Sequence, residues 1–357
     1  MNELAQTFTI YPLGNAQTMQ LELGNGKRML FDYADMKPNN AETSDKRCSL
    51  PNEFYGVTKF DVVMFTHAHE DHIKGASEYF NMEYLYTEDE GVTIGELRLS
   101  AAFVAGSNYS CEDARVIRQE ARARLKAGKA IKIFGYSEEL SKWLEDSNIS
   151  VDSVQHLMFY AGQNITHELG DEISFFLHAP FSDDCDDVQD KNDPSIVLQM
   201  RLHNDDKETN ILVTGDVPCD VLDEIVSRTK EKNNEKYLRW DFYDIPHHCS
   251  NTGLCNNSDE GVEPTDDVKW LLQQSEVNAY VVASCNALAE TDSPPPSQEA
   301  ADAYKRSINL DVTFRITMEW PNLSAPEPMA FTIDSKGLKP KTSTSALFIS
   351  KPAPRAG

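Results

Sequence analysis

No stretch of this 357-residue chain approaches the ~18 uninterrupted apolar residues that a bilayer-spanning helix requires. Its N-terminal residues also lack a basic segment followed by an apolar run and a small-residue cleavage site. The expectation is a cytoplasmic protein with no membrane association. Cysteine is sparse and unpatterned. Cys48, Cys111, Cys185, Cys219, Cys249, Cys255 and Cys285 form an odd, scattered set without a CxxC pair, which argues against a disulfide framework and a zinc finger. Positive charge is scarce too, with 33 Lys and Arg against 58 acidic residues and a formal net charge of −25. A surface of that sign repels a polyanion, so broad nonspecific duplex binding is disfavoured. No repeat of solenoid spacing is present.

What remains is an ordinary globular composition, 40% hydrophobic and 25% charged, enough for a large core. Strands are predicted at 7–11, 18–23 and 28–33, the last after the turn Gly24-Asn25-Gly26. Residues 59–66 form a short β-branched apolar run suited to a buried strand. From about 84 to 166 the chain turns charged and helix-prone, notably at 111–129 and 137–146, which predicts a helical insertion. Strands resume at 172–178, 195–202, 210–214, 240–245 and 279–284, with a helix at 266–274. A further helix at 297–307 has Ser297 as its cap, and strands follow near 312–318 and 329–333. One domain over 1–337 is expected, with 338–357 as a loose tail.

Two charge clusters stand out. Arg115, Arg118, Arg122, Arg124, Lys126, Lys129 and Lys132 are opposed only by Glu120, and read either as a solvated helix face or as a guide for an anionic substrate. Asp183, Asp184, Asp186, Asp187, Asp190 and Asp193 read as a solvated loop, since their spacing does not match an EF-hand.

The chemistry concentrates in His67-Ala68-His69-Glu70-Asp71-His72, directly after the 59–66 strand. Three histidines and an aspartate at the end of an apolar strand each need a polar partner, and a metal satisfies them together. In extended backbone, side chains two apart share a face. His67 and His69 can therefore hold one ion, while Asp71 and His72, where the chain turns, reach a second. Two adjacent divalent ions can share a hydroxide that is nucleophilic at neutral pH.

The run 66–72, with Ile73-Lys74-Gly75 after it, resembles the HxHxDH signature of metallo-β-lactamase-fold hydrolases. Other segments match that family in order. Gly14-Asn15-Ala16 and Phe31-Asp32 resemble its opening hairpin and buried aspartate. Asn192-Asp193-Pro194-Ser195 resembles the third-motif strand of a subset that lacks the usual histidine there. The run 211–216 matches the strand ending in a bridging aspartate, and Pro246-His247-His248-Cys249-Ser250 matches the segment with the last histidine. The most similar subgroup is the hydrolase domain of the competence DNA-uptake protein and related phosphodiesterases.

This resemblance implies an α/β fold, a four-layer αββα sandwich, and two divalent ions, zinc by preference or manganese. His67 and His69 would bind the first, completed by Asp193 or Asn192. Asp71, His72 and either His247 or His248 would bind the second, with Asp216 bridging. Asp71, His247 and His248 are the catalytic candidates, the histidine not bound to metal acting as general acid or hydrogen-bond donor. The metal set on this reading is His67, His69, Asp71, His72, Asp193, Asp216 and His248. Two departures matter. Cys249 stands where the subgroup usually has glycine and is expected to pack as a small hydrophobe. Pro295-Pro296 replaces a His-Pro, which removes a substrate-contacting histidine.

The function expected is metal-dependent phosphodiester hydrolysis of nucleic acid or a nucleotide-type small molecule. One alternative is hydrolysis of a lactone, thioester or lactam on the same metals. Another is a metal-stabilised interaction protein that meets a protein partner through segment 84–166.

Overall fold

A computed structural model describes residues 5–38, 41–42, 44–86, 91–106, 111–182, 185, 194–255, 261–290 and 294–341. The chain opens as an antiparallel meander of β1 (Gln6–Ile10), β2 (Met19–Glu22) and β3 (Arg28–Phe31). Parallel strands extend it: β4 (Lys59–Met64), β5 (Phe80–Asn81), β6 (Val92–Ser100), β7 (Ile131–Phe134) and β8 (Met158–Phe159). A second sheet follows. In it β9 (Ile173–Ala179), β10 (Val197–Asn204) and β11 (Lys207–Val213) are antiparallel. β12 (Trp240–Asp244), β13 (Ser275–Ala283) and β14 (Thr313–Ile316) then add in parallel. The chain returns to the first sheet through β15 (Met329–Asp334), which pairs with β1, and β16 (Gly337–Pro340).

Side-chain alternation along these strands builds the layers. On β4, Val63 packs under Ile117, Ala121 and Leu125 of helix Glu112–Ala127, as does Phe65 just beyond the strand, whereas Val62 and Met64 face the other sheet. On β12, Tyr243 packs under Leu222 and Ile225 of helix Cys219–Glu231 and Phe242 faces inward to meet Phe8 edge-on at 5.0 Å, while a register shift between Trp240 and Phe242 puts Trp240 on the Tyr243 side. Strands buried on both faces read as continuous apolar runs. The architecture is therefore helix, sheet, sheet, helix, the four-layer αββα sandwich implied by the resemblance. Among the described residues no helix is long and apolar enough to cross a membrane.

Two boundaries need correction. Segment 84–166 is not a helical insertion, because β6, β7 and β8 lie within it as members of the first sheet. Its strand character was masked by charge. Arg98 on β6 is fully buried between the sheets, paired with Glu96 at 2.7 Å and set over the Phe175 ring, so the alternation there lacks an apolar inner row. The tail begins later than 338, since β16 runs to Pro340, and residues beyond 341 lie outside those described.

The basic stretch is largely used by the fold. Arg118 and Arg122 donate to the carbonyls of Gly106, Val104 and Ala105 at the C-terminal end of helix Ala101–Ala105, where backbone acceptors have no helical partner. Arg124 is buried against Glu120 and the carbonyls of Ile94 and Ala130, and Lys132 pairs with Glu96. Arg115, Lys126 and Lys129 stay exposed. Four of the seven cations thus serve structure, which weakens the substrate-guide reading.

Candidate metal centre

The groups gathered here leave the C-terminal ends of β4, β11 and β12, the ends at which loops of parallel strands form sites. β4 stops at Met64, the chain bends at Thr66, His67 and Ala68, and helix Glu70–Ile73 begins after His69, which is extended. After β11, Gly215 turns with φ +57°, and a Cβ on it would lie 3.1 Å from Thr66 Cβ and 3.3 Å from Ser195 Cβ. Only glycine fits that close approach in a left-handed conformation. Asp216 follows, almost wholly buried.

These loops bring together two groups that could each hold an ion. Asp71, His72, Asp216 and His248 form one, and His67, His69 and Asp216 the other, with the ligand atoms of each group within 4.8 Å of one another. Asp216 belongs to both. Its Oδ2 lies 3.7 Å from His67 Nε2 and 3.7 Å from His248 Nε2. Within the first group His67 Nε2 is 3.1 Å from His69 Nδ1, and within the second His248 Nε2 is 3.2 Å from Asp71 Oδ2.

The far sides of the rings are anchored. His72 Nδ1 donates to Asp32 Oδ2 at 2.7 Å. Thr66 donates to the same carboxylate through both its backbone N and its Oγ1, each at 2.7 Å. Thr66 Oγ1 also lies 3.1 Å from His67 Nδ1, and His248 Nδ1 donates to the Ser284 carbonyl at 2.7 Å. Protons held on the three Nδ1 atoms leave each Nε2 lone pair directed at the cluster, the arrangement a metal ligand needs.

The electrostatics also fit cations. Burial raises the Asp216 carboxyl, but His72 and then His248 outweigh it and hold Asp216 well below the usual range. Burial would lower His72, yet Asp216 and then Asp32 hold it well above its ordinary value. His248 is likewise raised, by Asp216 and its bond to Asp71 against burial. His67 is driven well below by burial and by His72. With protein charges alone, then, protons on imidazole offset the carboxylates. His72 Nε2 and Asp216 Oδ1 sit 3.2 Å apart, but both are buried and neither makes a hydrogen bond. Orphaned donors and acceptors of this kind are costly, and a divalent ion ligated by both removes the cost. The mixed imidazole and carboxylate set suits zinc or manganese.

His247 and His248 are separated by geometry. His248 is buried in the cluster. His247 is half-buried outside it, with Nδ1 2.9 Å from Thr252 Oγ1. Asn192 and Asp193 lie outside the described residues. Cys249 is fully buried, and burial pushes its thiol up to about 12. Asn15 donates to the Pro295 carbonyl at 2.6 Å, which ties the opening turn to the double-proline segment. Gln17, Asp244 and Ser284 also serve the site and lie outside the residues the sequence pointed to; Thr66 belongs to the 66–72 run. A charged residue ending the apolar strand β12 was the available signal for Asp244.

No family model and no curated protein matches the sequence. Solved structures are similar to it in chain path. A diphosphatase of the PhnP family is 11% identical, covering 92% of this chain and 98% of that one with a TM-score of 0.35. A long-form RNase Z from yeast is 11% identical with a TM-score of 0.42. It is matched over 88% of this chain, which spans 40% of its length. BJP-1, a subclass B3 metallo-β-lactamase of Bradyrhizobium japonicum, is 11% identical over 76% of this chain and 88% of that one, with a TM-score of 0.31. Identity this low leaves residue roles to the geometry of this chain.

Proposed function

We propose that this chain is a two-metal hydrolase that cleaves phosphodiester bonds in a nucleotide-type small molecule or single-stranded nucleic acid. The observation that carries the reading is that two groups able to hold an ion are joined at Asp216. One offers two histidines and two aspartates, while the other, among the described residues, offers only His67, His69 and the shared Asp216. Two ions held side by side would each offer a position to a substrate oxygen, and a phosphodiester presents two non-bridging oxygens, sharing one negative charge, to fill them. The resemblance to the competence-protein subgroup supports the same class. The net charge of −25 favours a small or single-stranded substrate over long duplex.

Bound divalent ions would lower the pKa of water and offset charge on the phosphoryl group. The chain's own residues do the rest. Asp32, Thr66 and Ser284 fix the ligand rings, Asp216 spans the two groups, and Asp71 adds a carboxylate from the helix start. His247, free of the cluster, is assigned to proton donation to the leaving oxygen.

The test pairs metal content with turnover of bis(p-nitrophenyl) phosphate and single-stranded DNA, in wild type and in an Asp71→Ala, His72→Ala variant. Two metals and phosphodiester turnover are expected in wild type, with turnover and the second metal lost in the variant. Turnover of a lactone or p-nitrophenyl acetate instead transfers the site to carboxylic derivatives. Metal without any turnover leaves an interaction protein.

A further inference from the structure

Asp71 and Asp216 approach the proposed second metal from opposite sheets. Behind them runs a chain of buried hydrogen bonds that crosses between the sheets. Gln17 N donates to the Asp71 carbonyl at 3.0 Å, and Gln17 Nε2 donates to Asp244 Oδ2 at 2.8 Å. The Asp244 carbonyl then accepts Thr214 Oγ1 at 2.8 Å, two residues before Asp216. Gln17 and Asp244 are each 1% exposed, and Thr214 is fully buried.

Asp244 is out of place for its position. It shares the inner face of β12 with Phe242, where alternation calls for an apolar side chain. Among the described residues no Lys or Arg pairs with it, its Oδ1 has no hydrogen-bond partner, and its Oδ2 accepts from Gln17 Nε2 and, at 3.5 Å, from Thr214 N. A carboxylate buried in this way is costly. An apolar pair of similar volume would tie the sheets together without that cost, so the polar pair points to a role other than packing.

We propose that Gln17 and Asp244 form a cross-sheet clasp that sets Asp71 relative to Asp216, and thereby tunes the Asp71–His72–Asp216–His248 group while leaving His67 and His69 alone. The inference rests on the two-metal reading above. Neither residue touches metal or substrate; both are positioning residues. Gln17 fixes the carbonyl of the residue whose carboxylate enters the group, and Asp244 fixes the strand end that delivers Asp216. Loss of the clasp frees one ligand from the other.

The experiment is competition of a chromophoric chelator for zinc, resolving two dissociation steps in the full-length protein. His69→Ala and His248→Ala assign the steps to the two groups. Gln17→Met is close to isosteric and lacks the donor, and Asp244→Leu lacks the acceptor. Each is expected to weaken the second metal by about 10-fold or more, the scale of outer-shell losses, and the first, which shares only Asp216 with it, by clearly less. Asp244→Asn keeps an oxygen to accept from Gln17 and is expected to stay near wild type. Equal weakening of both metals, no weakening, or Asp244→Asn behaving like Asp244→Leu overturns the clasp. Should Asp244→Leu fail to fold, the contrast of Gln17→Met with Asp244→Asn decides alone. A wild-type protein that binds fewer than two zinc ions defeats the two-metal reading itself, and shows this before any variant is compared.

Discussion

His72 Nδ1 lies 2.7 Å from Asp32 Oδ2, with both side chains sealed from solvent. Asp32 Oδ1 already accepts from Thr66 N, so Asp32→Asn has little choice of orientation. Its amide oxygen must face Thr66 N and its NH2 must face His72. The imidazole then accepts at Nδ1 and carries its proton on Nε2, the atom the metal needs. Asp32→Asn is therefore expected to reduce metal affinity by about 10- to 100-fold while the protein stays folded. Circular dichroism and metal content of the purified variant check both halves.

His248 and His247 are adjacent in sequence but are expected to behave oppositely. His248→Ala removes a buried group with its Nε2 3.2 Å from Asp71 and 3.7 Å from Asp216, and should lower bound metal from two equivalents to one. His247→Ala should retain both and cost turnover by about 10²-fold or more, the scale of a lost general acid. Elemental analysis beside kcat separates them. Metal loss in His247→Ala and retention in His248→Ala would reverse the assignment.

The pattern of what could be read from sequence is physical. Ligands close together in the chain, His67 to His72, announce themselves because no packing role explains so many polar groups at a strand end. Asp216 and the histidine pair needed the family resemblance, and the choice between His247 and His248 needed the backbone turn that aims one ring inward. Strand β6 is hard to read in sequence because Arg98 is buried inside the sandwich beside Glu96, and such an ion pair looks like surface in one dimension. Helix Cys219–Glu231 carries Val221, Leu222, Ile225 and Val226 at helical spacing, a signal that was present and unused. Gln17 and Asp244 are 227 residues apart, and neither has a local pattern that names the other.

Stability should carry a pH signature from outside the metal cluster. His178 on β9 is buried, and burial lowers its pKa to about 4 despite the 3.0 Å bond from Nε2 to the Tyr237 carbonyl. An unfolded histidine titrates near ~6.5. Between these values the unfolded chain holds a proton that the native one lacks, so falling pH favours unfolding. The contribution is full above about pH 6.5, is lost as pH falls toward 4, and amounts to roughly 3 kcal/mol. Urea unfolding at about pH 7.5 and pH 5 should show wild type losing about 2 kcal/mol more than His178→Gln. Equal losses in the two proteins would mean the imidazole is solvated.

Cys249 takes a left-handed conformation at φ 64°, directly after His247 at 50° and His248 at 51°. Three successive side chains in that region are strained, at about 1–2 kcal/mol each for an L-residue, and strain of this kind collects at functional sites. Here it swings His248 inward between Asp71 and Asp216. At a residue with ordinary negative φ, replacing glycine by alanine stabilises by about 0.4–1 kcal/mol through the unfolded chain. At position 249 the order should invert. Cys249→Gly relieves the strain and loses a small buried thiol, leaving it within about 1 kcal/mol of wild type. Cys249→Ala keeps the strain and loses only the Sγ contacts; with the strain larger than what the retained Cβ contributes, it should be the less stable of the two. Cys249→Val, whose branched Cβ tolerates positive φ worst, should lose about 2 kcal/mol or more and weaken the metal group with it. Urea midpoints of the three variants give the ranking, and an alanine variant more stable than the glycine one would mean that the turn delivering His248 is not left-handed.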